Sequence, residues 1–242
     1  PQTFGTEFSG EIIEINNKTF NWKVGDQVLG SGGAFTHATI IDVPEGNLVK
    51  RPENIAKNLA GSIAGVAQTA MTILNEMGPA KSLLIHGGSG GVGSITIQLA
   101  VEKGIQVVAT ASEKNQEYLR SLGAQPVIYG NGLEARIKAL HPEPFDVAID
   151  MVGTLEATEV SLALVKEKGF IGSISGKQIT SNRITPIWVK RNVDNLRYVT
   201  EGIASGKLKW EIDKSYPFSQ APEAFDEILK GTNSDDKKSG TI

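Results

Sequence analysis

The residues best suited to chemistry in this sequence form a glycine-rich run between a predicted strand and a predicted helix. Ser82-Leu83-Leu84-Ile85-His86 has the pattern of a short buried strand, and the run after it spaces Gly88, Gly90 and Gly93 as Gly-x-Gly-x-x-Gly. In such a unit the first glycine permits a tight turn, the second lets the backbone approach a pyrophosphate, and the third allows close packing. The residues predicted to bind a dinucleotide here are Gly88, Ser89, Gly90, Gly91, Val92 and Gly93.

Two other interpretations of the glycine run differ in how well they fit. The phosphate-binding loop of NTPases requires Lys and then Ser or Thr after its last glycine, whereas Gly93 is followed by Ser94-Ile95. The sequence therefore excludes that class. A plain glycine-rich turn that only joins a strand to a helix remains an open alternative.

The residues after the second predicted strand indicate which nicotinamide cofactor is bound. An NAD-selective site places an acidic residue about 20 positions beyond the glycines, where it binds the ribose 2′-hydroxyl. Here Thr110 stands near that position and does not repel a 2′-phosphate, while Ser112 and Lys114 can donate hydrogen bonds to one. This favours NADPH. The alternative is that Ser112 only caps the following helix and that Lys114 is a solvated surface residue.

Two more predicted strand ends belong to the same crevice. The fourth strand of the predicted parallel sheet ends in Asp150-Met151-Val152-Gly153, and the fifth ends just before Ser175-Gly176. Because the carboxyl ends of parallel strands line the ligand crevice, we expect Val152 and Ile174 to lie beside the nicotinamide half of the cofactor. An ordinary role in turns would explain the glycines at these two strand ends, Gly153 and Gly176, equally well.

The elements that position these residues change in character along the chain. Strand-like runs at residues 11–15, 27–29 and 38–43 predict a β-rich opening, and from about residue 63 helical and strand-like stretches alternate, which is typical of βαβ units. The predicted parallel strands are residues 82–86, 106–110, 126–129, 145–150 and 169–174. The predicted helices are residues 91–103, 113–122, 133–140, 155–165 and 193–204, and a strand, a turn and a helix at 221–229 follow residue 207.

Composition narrows the function classes. The 24 Lys and Arg residues against 27 Asp and Glu give a net charge of −3, so no basic field would attract nucleic acid. The absence of cysteine excludes disulfides, thiolate catalysis and cysteine-containing zinc sites. No apolar run approaches the roughly 20 residues that cross a bilayer. We therefore expect a cytoplasmic protein that is not bound to a membrane.

Several short motifs together resemble one known family. They are Gly5-Thr6-Glu7-Phe8-Ser9-Gly10, Lys23-Val24-Gly25-Asp26-Gln27-Val28, Thr69-Ala70, the glycine run with His86, Leu122-Gly123-Ala124, residues 145–153, Ser205-Gly206-Lys207-Leu208 and the last six residues. Their order and spacing resemble the zinc-free quinone oxidoreductase branch of the medium-chain dehydrogenase/reductase superfamily, which includes the ζ-crystallin-like proteins. The similarity covers nearly the whole chain.

The resemblance implies a fold and further site residues. The implied fold class is α/β, with a Rossmann doubly wound parallel sheet at residues 65–205 and a β-rich GroES-like domain at 1–64 with 206–242. That second domain would lack its usual N-terminal part. Thr69 would lie near the nicotinamide and Lys238 close to the cofactor, and Thr6 stands where zinc-dependent relatives have a histidine ligand, so no metal is expected.

The implied activity is NADPH-dependent reduction of quinones or α,β-unsaturated carbonyl compounds, by a homodimer. Because the nicotinamide carries the chemistry, the chain needs neither a metal nor a cysteine nucleophile. Two alternatives remain open. One is an enoyl-thioester reductase with the same chemistry, and the other is a non-catalytic NADPH-binding or structural, crystallin-like protein.

Overall fold

A computed structural model of the protein describes residues 5–16, 21–32 and 35–231. The N-terminal part contains a three-stranded antiparallel sheet in the order β1-β2-β3, with β1 at Glu7–Glu11, β2 at Gln27–Ser31 and β3 at Leu48–Lys50. A 3-10 turn at Glu45–Asn47 leads into β3. The second predicted strand is confirmed, while the first and third are wrong.

Backbone pairing explains both errors. The observed β1 lies four residues earlier than predicted because Glu7 to Glu11 pair with Ser31 to Gln27 of β2. The apolar residues that suggested a strand at 11–15 are mostly outside the core, and Ile13 is 60% exposed. Residues 38–43 form bends, and Ile40 is 69% exposed. Apolar residues promote a strand only where they pack against neighbouring strands or bury one face.

The second sheet has six parallel strands. They are β4 at Ser82–His86, β5 at Gln106–Ala111, β6 at Gln125–Ile128, β7 at Phe145–Asp150, β8 at Val165–Ser173 and β9 at Ile184–Pro186. Their order is β6-β5-β4-β7-β8-β9, which confirms the predicted Rossmann arrangement. The order along the sheet reverses between β4 and β7. In such sheets the ligand crevice lies at that switch point.

The described residues also form eight α-helices. They are α1 at Lys57–Ala60, α2 at Ile63–Met77, α3 at Gly91–Glu102, α4 at Gln116–Ser121, α5 at Leu133–Leu140, α6 at Leu155–Leu164, α7 at Val193–Ala204 and α8 at Ala221–Gly231. A 3-10 turn at Glu113–Asn115 replaces the start of the helix predicted at 113–122. Within the described part of the chain, no helix is long and apolar enough to cross a bilayer.

Three further differences from the sequence prediction have local causes. Helix α2 was not predicted, because Gly65 and several β-branched residues lower its helix propensity; its apolar residues are nevertheless almost completely buried. Strand β8 begins four residues early, since Val165 pairs with Phe145 before a register shift. The strand predicted after residue 207 does not form, and only a single bridge residue, Lys214, occurs there.

Apolar side chains cover both faces of the parallel sheet. Leu83 and Ile85 of β4 pack into a cluster with α2, α3 and α7, whereas Leu84 packs into a second cluster with α5 and α6. This alternation follows the two-residue period of a strand. Burial of both faces is typical of a parallel sheet.

The N-terminal and C-terminal parts of the chain approach each other. The rings of His37 and Phe225 lie 5.4 Å apart, and Trp210 Nε1 donates a buried hydrogen bond of 2.8 Å to Ser62 Oγ. The division into domains at residues 64 and 205 nevertheless stays a prediction.

Candidate functional site

The glycine loop connects β4 to α3 and is tied to the neighbouring strand β5. Gly87 has a φ of +85°, a conformation that favours glycine, and its amide donates to Thr110 Oγ1 at 3.2 Å. The amide of Gly88 donates to the Thr110 carbonyl at 2.9 Å. Strand β5 therefore holds the first half of the loop.

Two glycines of the loop have opposite surroundings. A Cβ on Gly93 would lie 2.6 Å from the Gly87 carbonyl oxygen and 2.8 Å from Gly88 Cα, so the helix start and the loop are in backbone contact. A Cβ on Gly90 would meet only the Gly87 carbonyl oxygen, at 3.6 Å, and Gly90 is exposed. The surface above Gly90 is thus open to a ligand that approaches the backbone.

The N-terminus of α3 is suited to an anion. The first amides of an α-helix have no intrahelical acceptor, and the preceding residue, Gly90, provides no side-chain cap. The helix dipole adds a partial positive charge at the same place. The predicted residues Ser89 to Gly93 surround this point. The N-terminus of α3 therefore offers unpaired amides at the switch point of the sheet, beside the exposed Gly90.

The end of β5 differs in detail from the sequence prediction. The strand extends to Ala111, and Thr110 is only 2% exposed with its hydroxyl occupied by the Gly87 amide. Thr110 thus supports the loop from inside, and its predicted contact with the cofactor stays a prediction. Ser112 follows the strand, is half-buried, and makes no side-chain cap hydrogen bond to the turn after it. Lys114 is exposed in that turn.

Asn115 is a site residue that the sequence did not reveal. Its side chain is 1% exposed, and its Nδ2 donates to Ser89 Oγ at 3.3 Å and to Ser112 Oγ at 3.2 Å. The glycine loop and the end of β5 are therefore joined by one amide group. The sequence signal is weak because Ser89 and Asn115 stand 26 positions apart.

The other two predicted strand ends lie at the same edge. Register pairs align His86 with Asp150, and Asp150 with Ser173. Buried Asp150 accepts hydrogen bonds from the amides of Val152 and Gly153 at 2.9 and 2.8 Å, which shapes the turn after β7. Val152 is 38% exposed, and a Cβ on Gly87 would lie 2.7 Å from its Cγ1. Its side chain therefore lies against the glycine loop.

A cavity of about 270 Å³ adjoins the start of α3. Its lining includes Val92 of the loop, Thr69 of α2, and Glu7 and Arg191. The structure thus brings Thr69 and Val92 to one cavity, and their predicted contacts with the cofactor stay predictions. The Thr69 hydroxyl donates to the Gly65 carbonyl at 2.7 Å, so its remaining capacity is as an acceptor. A larger groove of about 1490 Å³ runs along the N-terminal and C-terminal segments, and none of the predicted cofactor residues that are described lines it.

Glu7 is an unexpected acid at the wall of the smaller cavity. Burial raises the pKa of its carboxyl group to about 7, although a hydrogen bond with the Gly65 backbone acts in the opposite direction. Its Oε2 is buried without a hydrogen-bond partner. Gly65 leaves room for this carboxyl group, since a Cβ there would lie 2.1 Å from Oε1.

Gln68 fixes the remaining wall of this cavity. Its Nε2 donates to Ser31 Oγ at 2.6 Å, and its Oε1 accepts from the Asn192 amide at 2.8 Å. Gln68 thereby connects β2 with the segment that contains Arg191. Lys238, which the resemblance placed close to the cofactor, lies outside the described residues. Among the residues that are described, no three His, Cys, Asp or Glu side chains could share a metal ion.

The chain is similar to known proteins over nearly its whole length. A family model described as zinc-binding dehydrogenase matches residues 91–195. Quinone-oxidoreductase QR1, chloroplastic, of Triphysaria versicolor is 28% identical over 249 residues, which cover 93% of this chain and 76% of that protein. The NADPH-dependent alkenal/one oxidoreductase, chloroplastic, of Arabidopsis thaliana is 29% identical over 246 residues, covering 93% and 60%.

A solved structure gives the same result. The quinone oxidoreductase from Coxiella burnetii superimposes with a TM-score of 0.84 at 30% sequence identity, and the match covers 99% of this chain and 78% of that one. The arrangement of both sheets is therefore shared with a protein of similar sequence.

Proposed function

Because the chain belongs to the medium-chain dehydrogenase/reductase superfamily, in its quinone oxidoreductase-like branch, we propose that it is an NADPH-dependent reductase of quinones or α,β-unsaturated carbonyl compounds. The observation that carries this proposal is the open glycine loop at the switch point of the sheet. Through Val92 it reaches a small cavity that also contains Thr69. A dinucleotide site and an acceptor site are therefore adjacent.

The residues of the crevice fit the parts of the cofactor. Ser89 to Gly93 offer amides and a hydroxyl to the pyrophosphate, and Ser112 and Lys114 offer donors to the 2′-phosphate. The predicted neighbours of the nicotinamide are Thr69, Val152 and Ile174. When bound, NADPH supplies a hydride from its nicotinamide ring.

The cavity next to Val92 has properties that suit a small electron-poor acceptor. Its volume of about 270 Å³ lies near the lower end of small-molecule pockets, which span roughly 300–1,000 Å³. Arg191 belongs to its lining, and we propose that its guanidinium group stabilises the negative charge that develops on the acceptor oxygen. Thr69 cannot do so while its proton is held by the Gly65 carbonyl. The α carbon of an enone then takes its proton from solvent.

Independence from zinc is part of the proposal. The family model described as zinc-binding dehydrogenase matches residues 91–195, which contain five of the six parallel strands. Thr6 stands where zinc-dependent relatives have a histidine, and the sequence contains no cysteine. This donor set does not fit a tetrahedral zinc site, so no step is assigned to a metal. We expect full activity in the presence of a chelator and no stoichiometric zinc by elemental analysis; one tightly bound equivalent would contradict this.

Steady-state oxidation of NADPH tests the proposal. The acceptor panel contains quinones, simple enones and a crotonyl thioester, and Gly46→Ala, a change in open space far along the chain from the glycine loop, is the control variant. We expect turnover with quinones or enones. Preferential reduction of the thioester would favour the enoyl-thioester alternative, and cofactor binding without turnover of any acceptor would favour a non-catalytic protein.

The proposal also includes an oligomeric state and a cellular location. We propose a homodimer on the basis of the resemblance. We also propose a cytoplasmic location, which a sequence without cysteine fits, although the two plant relatives are chloroplast proteins by name.

A further inference from the structure

The side chain of Asn115 joins the two stretches of chain that the proposed function assigns to the cofactor phosphates. Its single amide nitrogen lies 3.3 Å from Ser89 Oγ in the glycine loop and 3.2 Å from Ser112 Oγ after β5. Asn115 and Ser89 are 1% and 8% exposed. The bridge therefore lies beneath the surface that the phosphates would contact.

The direction of these hydrogen bonds fixes what the two serines can do. A serine hydroxyl has one hydrogen to donate and two lone pairs that accept. An amide nitrogen can only donate, so both contacts use serine lone pairs and leave both hydroxyl hydrogens for other partners. The Ser112 hydroxyl makes no cap hydrogen bond to the turn that follows it. Both serines are thus set as donors, which is what phosphate oxygens require.

The amide oxygen supplies an independent observation. Asn115 Oδ1 is buried and has no hydrogen-bond partner. A buried acceptor without a partner reduces stability, and an apolar side chain of similar size would avoid that penalty. The energetics of folding therefore do not explain an asparagine at this position, whereas orientation of the two hydroxyls does.

We propose that Asn115 is a positioning residue for the cofactor, whose amide fixes the hydroxyls of Ser89 and Ser112 as donors toward the pyrophosphate and the 2′-phosphate. This inference rests on the proposed function. It adds a device that links the two phosphate subsites: one residue, which touches neither phosphate, sets the polarity of a donor in each. The preference for NADPH over NADH then depends on Asn115 through Ser112.

A double-mutant cycle tests this inference by equilibrium titration of NADPH and NADH. The proteins are the wild type, Asn115→Ala, Ser112→Ala and the double variant, each with a measured melting temperature. We expect Asn115→Ala to weaken NADPH about 5- to 20-fold and NADH less, since one or two donors lose their orientation. In the Ser112→Ala background, Asn115→Ala should leave the NADPH-to-NADH affinity ratio unchanged, because the hydroxyl it orients is gone.

Two further variants separate orientation from packing. Thr200→Val removes another buried oxygen without a partner, on α7, and should leave the affinity ratio at its wild-type value. If Asn115→Ala fails to fold, Asn115→Asp is the replacement, because its carboxylate has the shape of the amide. A carboxylate can only accept hydrogen bonds, so it turns the hydroxyl hydrogens of Ser89 and Ser112 toward itself. Its loss of NADPH affinity should then be larger with Ser112 present than with Ser112→Ala.

The opposing results are distinct. A wild-type affinity ratio in Asn115→Ala, or losses that simply add in the double variant, would overturn the positioning role. Tighter NADPH binding by Asn115→Ala would mean that the amide is turned the other way and consumes the hydroxyl hydrogens, which also overturns it. If the wild type does not bind NADPH at all, the proposed function and the positioning role are both overturned. If Asn115→Ala keeps the wild-type preference for NADPH, only the positioning role is overturned.

Discussion

At the scale of single residues, the burial of Glu7 couples stability to pH. Its pKa is raised from 4.5 to about 7 in the folded chain. Between these two pH values the folded state binds more protons than the unfolded state. The contribution of Glu7 to the free energy of unfolding is therefore complete below pH 4.5 and is lost as pH rises through 7. A shift of this size corresponds to as much as ~3 kcal/mol.

We therefore expect Glu7→Gln to reduce the loss of stability between pH 5 and pH 8. The amide keeps the shape of the carboxyl group and does not ionise. Urea unfolding of both proteins at the two pH values measures the difference. The low pKa of buried His86, about 4, destabilises the folded state only as pH falls below 6.5, and it cancels when variant and wild type are compared. Equal pH dependence in both proteins would contradict this account.

The sequence identified some site residues more securely than others. The glycine spacing correctly marked Gly93, where only glycine fits the backbone contact, whereas the positive φ lies at Gly87, one position before the first glycine of the predicted motif. For Thr110 the structure shows a strand one residue longer than predicted and a buried side chain whose hydroxyl accepts from the Gly87 amide. Its contact with the cofactor stays a prediction. Asn115 and Glu7 could not be identified, because their environments are formed by residues distant in sequence, such as Ser89 and Gly65.

At the scale of elements, the glycine loop yields a paired prediction. Gly93→Ala should lower the free energy of unfolding by ~1–3 kcal/mol, because its Cβ would overlap the backbone of Gly87 and Gly88. Gly90→Ala should fold normally, since φ −73° and ψ 170° suit alanine. Its methyl group would, however, project into the open space beside the start of α3, and we expect it to weaken NADPH roughly tenfold or more.

Denaturation and cofactor titration of both variants separate the two roles. Gly46→Ala is a suitable control, because nothing lies within 4 Å of its Cβ and neither property should change. If Gly90→Ala bound NADPH as tightly as the wild type, the phosphate would not lie at the N-terminus of α3. If Gly93→Ala had wild-type stability, the close contact between helix and loop would be absent.

The elements were unequally predictable. Five of the six parallel strands were predicted to within a few residues, because short apolar runs bounded by glycine and charged residues are typical of buried strands. Strand β9 was not predicted. The N-terminal strand β1 was misplaced, since its residues are only half-buried and its register depends on pairing with β2. Helix α2 was missed because its stability comes from burial against α3 and α7 more than from its own sequence.

At the scale of the whole molecule, the sheet order sets where chemistry can occur. The reversal between β4 and β7 opens the crevice, and apolar side chains cover both faces of the sheet. The alternation of helical and strand-like stretches predicted a parallel sheet, but it did not predict the order of the strands. The sequence pattern also did not predict the contact of His37 with Phe225, because that contact depends on how the two ends of the chain meet.

Transfer of deuterium tests the central claim most directly, namely that this crevice delivers hydride from NADPH to an electron-poor carbon. The protein is supplied with NADPH deuterated at both C4 positions and with a simple cyclic enone in ordinary water, and the product is analysed by NMR and mass spectrometry. The account predicts one deuterium on the β carbon and a solvent proton on the α carbon. A reduced product without deuterium, or deuterium on the α carbon, would contradict it.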